Sequence, residues 1–466
     1  MLPSSRFDQR LARRLRDILG EGALRLDDID RERWGRDETE DLLFPPDAVA
    51  LPESTEQVSA VLRLAHAEGI PVTPRGGGTG LSGGALPVRG GWVLSVERMR
   101  RVLDLDRDDL TMLVEAGVTT AEIHRTAEEA GLLYPPDPGS ADLCCIGGNI
   151  AEDAAGPRSC KYGTTRRWVL GLQAVLIDGT VLELGGANRK DVTGYNLTQL
   201  LVGSEGTLAV VTRARLRLLP RPPATLAAAV PFADLETAAH AVVAIFRAGL
   251  DPVSCELLEA RAVELVARLE PLPPEMARCG ALLLVGLDGG SDEEVLAAAG
   301  GLDEIVRAAG AGQMWAATDE REQRRLWRAR SRVGEAVKAH STYKEIDAVV
   351  PRSHLARLVA LAREAAARHG IEAVCYGHAG DGNLHVNLLR GALPAEAWDR
   401  ARDGAEDLLV EGVLGLGGAV SGEHGIGWTQ RRHLARALGE ECLALQRRVK
   451  AAFDPSGLLN PEKVLP

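Results

Sequence analysis

At 466 residues the chain is long enough for two or three domains, each with its own core. Its composition, 45% hydrophobic and 26% charged, is that of a folded globular protein, and no apolar run reaches the length needed to span a bilayer. A formal net charge of -12 without a basic block excludes nucleic acid as an expected partner.

Near the start, Phe7, Leu11, Leu15, Ile18 and Leu19 recur at helical spacing and predict a docked surface helix within a segment 1–46. Arg6, Arg10, Arg13 and Arg14 alternate with Asp8, Asp17 and Glu21. Those acids argue against a transit peptide, and no apolar signal core is present, so the expected location is the cytoplasm or a membrane face reached through a partner. The seven cysteines are odd in number and lack C-x-x-C spacing, while Cys144 and Cys145 adjoin. Buried reduced thiols are expected.

An α+β domain is predicted over 47–221. Ser54 to Gln57 has capping-box form, Val58, Val61, Leu62 and Ala65 follow on one helical face, and Gly69 ends that helix. Strands are predicted at 70–73, 92–96, 112–115, 169–177, 181–184 and 207–211, with a helix over 120–130. Clustered prolines at Pro222 and Pro223 mark the linker. A second α+β domain over 222–415 alternates helices (235–248, 292–309) with strands such as 281–287 and 373–377. Residues 416–466 form a C-terminal segment expected to pack back on the first domain.

Within the first domain, Gly78-x-Gly80-x-x-Gly83 matches the dinucleotide fingerprint literally. That fingerprint must open a helix directly after a strand, whereas here Ala85 to Gly91 and a β-rich run follow, so NAD is rejected. Two readings stand: a loop whose successive N–H groups line an anion site, or a plain flexible loop. Small residues recur at 137–140, 146–150 and 203–207, which favours a long, flat cofactor threaded between three segments.

In the second domain His378 and His385 lie seven apart, which suits neither helical face. A hairpin turning through Asp381, Gly382 and Asn383 fits better. Alternation then sets His385 and Asn387 on one face while Leu384, Val386 and Leu388 enter the core. Glu423 would complete a two-histidine, one-carboxylate metal set with open positions, leaving His424 as a base. Zinc comes first by ligand type, with iron, cobalt and manganese also fitting. Arg324, Arg325, Arg328, Arg330 and Arg332 crowd one helical segment, mostly facing solvent.

The runs Pro74 to Gly84, Pro135 to Pro138, Ile146 to Glu152, Lys161 to Gly163 and Gly203 to Leu208, in that order, resemble the FAD-linked oxidase/dehydrogenase family. Its fold is the vanillyl-alcohol-oxidase type, and the likeness is to the branch of D-2-hydroxyacid dehydrogenases, D-lactate dehydrogenases and the glycolate oxidase flavoprotein subunit. The resemblance spans about Asp37 to Lys463. It implies a two-subdomain FAD-binding domain, an α+β cap domain for substrate, and a C-terminal segment completing the flavin site. By it, Pro74, Arg75, Gly76, Gly77, Gly78, Thr79, Gly80 and Ser82 would cradle the FAD pyrophosphate. Pro136, Ser140, Gly147, Gly148, Asn149 and Gly156 would line the flavin and ribityl chain, Glu205 would face the adenosine half, and Asn460 would reach the isoalloxazine. Relatives with covalent flavin carry a histidine in the glycine loop; its absence here implies non-covalent FAD.

The resemblance also matches His378, His385 and Glu423 to metal ligands and His424 to the catalytic base. Arg330, in Trp327-Arg-Ala-Arg330, would grip the substrate carboxylate, with Lys344 and Asn387 as further substrate contacts. The implied reaction oxidises a D-2-hydroxy acid to the 2-oxo acid, with hydride passing from C2 to flavin N5. The spacing from Lys344 to Asp347, and Gly334 where a hydroxyl residue is usual, depart from the 2-hydroxyglutarate pattern. D-lactate or glycolate therefore leads, with D-2-hydroxyglutarate dehydrogenase or an oxygen-using oxidase as alternatives. Lacking a cysteine cluster for an iron–sulfur centre, the chain would pass electrons to a quinone, a cytochrome, an electron-transfer flavoprotein or a separate iron–sulfur subunit. A homodimer is among the assemblies open to it.

Overall fold

Asp8 opens the first helix, Gln9–Leu19, by accepting from the Leu11 amide at 2.8 Å, and Leu11, Leu15 and Leu19 turn inward. The computed structural model describes residues 8–466, so Phe7 of the expected helix lies outside them. The next long helix, Thr55–Glu68, begins where Ser54 accepts from the Gln57 amide and ends at Gly69, whose φ of +65° is the left-handed turn glycine tolerates.

The chain divides into two compact units. The first holds the described residues up to Ala155, Thr164–Arg221 and Glu423–Pro466; the second holds Gly156–Gly163 and Pro222–Gly422. In the first unit, a four-stranded sheet runs in the order Leu24–Arg25, Ala48–Ala50, Trp92–Ser95, Val72–Arg75. The last three strands are parallel. A separate five-stranded antiparallel sheet runs Val102–Asp106, Thr111–Glu115, Val210–Arg217, Val169–Val175, Val181–Gly185. The strand expected at 207–211 is in fact Val210–Arg217. Its Thr212, Ala214 and Leu216 are buried while Arg213, Arg215 and Arg217 alternate on the other face. Arginine at every second position hid a strand that alternates through Thr212, Ala214 and Leu216.

The second unit is built on a seven-stranded antiparallel sheet: Trp315–Ala317, Ala224–Phe232, Ala281–Gly289, Ser254–Glu259, Glu372–Gly377, Asn383–Leu389, Tyr343–Val349. Alternation sorts its residues onto two faces. On one, Val230, Leu257, Val285, Leu384, Val386 and Leu388 pack with Val242, Leu302 and Val359 from three helices. The opposite face is apolar in part, through Leu258, Leu282, Leu284 and Val374, but also presents Glu256, Tyr376, His385 and Asn387.

The histidine hairpin depends on its turn. Gly382 has φ +76°, and a Cβ there would lie 2.0 Å from the Val350 carbonyl oxygen. Gly382→Ala is therefore expected to destabilise the fold by about 3 kcal/mol or more, read from the urea midpoint. A midpoint within error of the parent would contradict this.

All seven cysteines are free thiols, with Cys144, Cys145, Cys255 and Cys375 buried. Among the described residues no helix is long and apolar enough to cross a membrane.

Candidate active site

In the first unit, strand Val72–Arg75 runs into a glycine loop that forms no helix. Side chains are barred on its inner side: a Cβ at Gly77 would lie 2.2 Å from the Leu143 carbonyl oxygen, and one at Gly78 only 1.9 Å from the Arg75 guanidinium. At Gly80 and Gly148 a Cβ would meet nothing within 4 Å, so backbone there faces open space. Buried polar atoms without partners converge on the same stretch: Arg75 Nη1, Ser82 Oγ and Asn460 Oδ1. An open backbone cradle with two unanswered buried donors, Arg75 Nη1 and Ser82 Oγ, fits a polyanionic cofactor such as FAD. Burial weakens the hold of the Arg75 guanidinium on its proton, opposed by the Asp37 carboxylate.

Other expected cofactor residues are taken up by the protein itself. Pro74 packs beneath Gly206, and Thr79 is half-buried in the loop. The Pro136 carbonyl lies 2.8 Å from His124 Nε2, and the Ser140 carbonyl accepts from the Leu143 and Cys144 amides. Gly147 sits where a Cβ would be 2.9 Å from that of Ala116, so its glycine serves close packing. Asn149 donates to Thr120 Oγ1 at 2.6 Å. Asn460 donates through Nδ2 to the carbonyls of Gly84 and Glu205. The Glu205 carboxylate accepts from the Ile426 and Gly427 amides at 2.8 and 2.6 Å. Gly156 runs with the second unit, where its amide donates to Ser159 Oγ.

In the second unit the histidines come together as the hairpin predicts. His378 follows strand Glu372–Gly377, and Tyr376 pairs with His385 across the ladder. The two imidazole centroids lie 5.4 Å apart at 81°. His378 Nδ1 lies 2.8 Å from Glu256 Oε1, which directs its other nitrogen away from that carboxylate. His385 Nδ1 is 4.0 Å from Glu345 and 3.9 Å from Asp347. Two buried imidazoles with carboxylates behind them are the usual support of a divalent-metal site.

Of the crowded arginines, Arg330 is the one drawn inward. Its Nε donates to Glu256 Oε2 at 2.6 Å and its guanidinium stacks 5.2 Å above the Tyr376 ring. Arg324 and Arg328 stay largely exposed. Burial alone would raise the Glu256 carboxyl, but His378 and Arg330 together pull it down to about 2. Lys344 sits opposite Leu388 on the edge strand, and the fully buried Asn387 lies one residue step-pair from His385, beside the Tyr376 hydroxyl. That hydroxyl donates to Glu345 at 3.3 Å, and a Cβ on Gly334 would lie 3.3 Å from it.

Asp347 anchors the chain leading to the Glu-His pair. It accepts from Asn383 Nδ2 at 2.6 Å, Ser421 Oγ at 3.0 Å and the Gly422 amide at 2.7 Å. Ala419 also bridges to Val349. Glu423 and His424 are the first residues of the returning first-unit segment, with His424 Nε2 3.9 Å from Glu423 Oε1.

Sequence reasoning missed Glu256, Glu345, Asp347 and Tyr376. The signal for Glu256 was a carboxylate at mid-strand among Cys255, Leu257 and Leu258, where burial demands a partner.

Two family models match, described as "FAD binding domain" over residues 46–185 and "FAD linked oxidases, C-terminal domain" over 221–464. A D-lactate dehydrogenase of Archaeoglobus fulgidus is 40% identical, covering 92% of this chain and 94% of that one. The glycolate oxidase subunit GlcD of Bacillus subtilis is 36% identical over 90% and 89%. A D-2-hydroxyglutarate dehydrogenase of Xanthomonas citri pv. viticola is 36% identical over 95% and 94%. The solved structure of p-cresol methylhydroxylase with substrate bound superposes with a TM-score of 0.82 at 18% identity, covering 97% and 95%, and shares the fold. The chain belongs to the FAD-linked oxidase family. It is an FAD-linked oxidoreductase of the branch whose members carry those three dehydrogenase and oxidase names.

Proposed function

We propose that the protein oxidises the C2 hydroxyl of a small D-2-hydroxy acid, D-lactate or glycolate, to the 2-oxo acid. The observation that carries this reading is the paired His378 and His385 backed by Glu256, on a sheet whose Asp347 pins Gly422, the residue before Glu423. His378, His385 and Glu423 would hold a divalent ion, zinc first by ligand type. FAD, when bound, supplies a two-electron acceptor, and the ion supplies Lewis-acid polarisation.

The side chains then divide the work. Arg330, aligned by Glu256 through Nε, grips the substrate carboxylate, with Lys344 and Asn387 as neighbouring contacts. His424 takes the C2 hydroxyl proton as the C2–H bond breaks. The loop from Arg75 to Ser82 would hold the cofactor pyrophosphate. Gly334 beside the Tyr376 hydroxyl carries no side chain to greet a second carboxylate, which favours a monocarboxylate substrate. Electrons leave to a separate acceptor, since the free cysteines form no cluster ligand set.

The test is an anaerobic visible spectrum during titration with paired D- and L-lactate, glycolate and D-2-hydroxyglutarate. Bleaching by D-lactate or glycolate, suppressed by a chelator and restored by zinc, is the expected outcome. A flavoprotein bleached only by D-2-hydroxyglutarate, or by none of them, would overturn the substrate assignment. Because the glycine loop has no histidine to form a flavin bond, acid precipitation is expected to release all the flavin into the supernatant. Flavin retained in the pellet would refute non-covalent binding.

A further inference from the structure

Beneath the glycine loop of the first unit lie two acids that the proposed chemistry does not use as acids. Glu205 is buried, with its backbone in the left-handed region at φ +52°. Its two carboxylate oxygens accept from the Ile426 and Gly427 amides, directly after Gly425 of the Glu-His-Gly turn. Glu152, at the end of helix Ile146–Glu152, points into the same spot. A Cβ built on Gly425 would lie 2.2 Å from Glu152 Oε2 and 3.0 Å from Glu205 Oε1. One built on Gly84, across the loop, would lie 3.1 Å from Glu152 Oε1 and 3.9 Å from Glu205 Oε2. Both carboxyls thus close on the same two glycines.

Their surroundings differ in a way that decides where a proton sits. Glu205 has two N–H donors and feels the Lys463 ammonium, whose Nζ also donates to the Leu86 carbonyl. Burial raises the Glu205 carboxyl, and the two amides and the ammonium pull against that rise, so of the two acids Glu205 is the one whose contacts favour a negative charge. The buried Glu152 Oε2 has no partner, and the other acids facing it are Glu205 and Asp37. Two like charges sharing a dry site cannot both persist, and the group with no donor is the one that keeps its proton. Burial, then Glu205, then Asp37 all push the Glu152 carboxyl well above the usual range.

We infer that Glu152 and Glu205 share a single proton, held on Glu152, and that this pair positions the Glu-His-Gly turn carrying His424 against the glycine loop. A carboxylate on Glu205 is required because it must accept from two backbone amides at once. A neutral acid on Glu152 is required because a second charge would expel the first from its donors. Gly84 and Gly425 are glycine because a side chain on either would occupy the space of the acid pair. Glu152 is thereby a positioning residue acting through Glu205. The functional importance of the turn rests on the base reading of His424, but the proton and the contacts do not.

The experiment uses the FAD-loaded enzyme and two readouts that need no turnover. Infrared difference spectra of wild type against Glu152→Gln should show the C=O stretch of a neutral carboxylic acid, shifted in heavy water and lost in the variant. Glu152→Asp, which keeps an acid, should move that band rather than remove it, and stands in if the glutamine variant does not fold. Hydrogen exchange should show the Ile426 and Gly427 amides protected in wild type and in Glu152→Gln, but exchanging about tenfold or more faster in Glu205→Gln. Absence of the acid band from wild type, or unchanged protection in Glu205→Gln, would overturn the inference. Failure of the base assignment for His424 would leave both readouts as they are, so the two ideas fall separately.

Discussion

Replacing His424 by alanine is expected to slow flavin reduction by the 2-hydroxy acid about 10²–10⁴-fold, roughly 3–5 kcal/mol of barrier. Oxidation at C2 removes a hydride and leaves a hydroxyl proton that must go to a side chain. His378 and His385 are buried, and His378 already has one nitrogen turned to Glu256. The imidazole of His424, partly exposed and 3.9 Å from the Glu423 carboxylate, is the group proposed to take that proton. The variant is expected to retain FAD and any bound metal, because the proposed ligand set is His378, His385 and Glu423. Stopped-flow absorbance under anaerobic conditions, with flavin and metal content measured on the same sample, separates chemistry from assembly. A rate within a few-fold of the parent would remove His424 from the reaction.

Much of this was readable along the chain, and the reason is local. The hairpin declares itself in Leu384, Val386 and Leu388, which alternate with His385 and Asn387, and in a glycine at a turn position only glycine can fill. The helix from Thr55 is bounded by a capping serine and a left-handed glycine, both of which act within four residues. The glycine loop was recognisable because close backbone approach leaves a compositional trace.

What stayed hidden was long-range. Glu256 meets His378 across 122 positions of sequence, and nothing near Glu256 in the chain hints at that partner. The contact exists because strand Ser254–Glu259 lies beside strand Glu372–Gly377, an order that no local pattern encodes. Asp347 is similar: its role is to collect Asn383, Ser421 and Gly422 from two other segments. Strand Val210–Arg217 failed for the opposite reason, since three arginines masked an alternation that the sheet makes plain.

Glu256 is also where the second large effect is expected. Its carboxylate serves two partners at once, the Arg330 guanidinium at 2.6 Å and the His378 ring at 2.8 Å, with almost no exposure. Glu256→Gln keeps the shape but offers one carbonyl oxygen where two carboxylate oxygens stood. Either His378 loses the acceptor that sets its tautomer, or Arg330 is left buried beside an amide NH2. Loss of such a carboxylate behind a metal-binding histidine typically lowers affinity about 10–100-fold, and this is the expected drop for zinc. Competition with a chromophoric chelator on the FAD-loaded enzyme measures it. Glu256→Ala, which strands a buried Arg330, should in addition cost about 3–5 kcal/mol of stability by urea unfolding. The two variants discriminate between roles. Weak zinc binding with near-normal stability in Glu256→Gln would mark the residue as an orienter of His378. Lost stability with unchanged zinc affinity would instead make it an anchor for Arg330 alone, and the histidine pair would have to hold its geometry through Glu345 and Asp347.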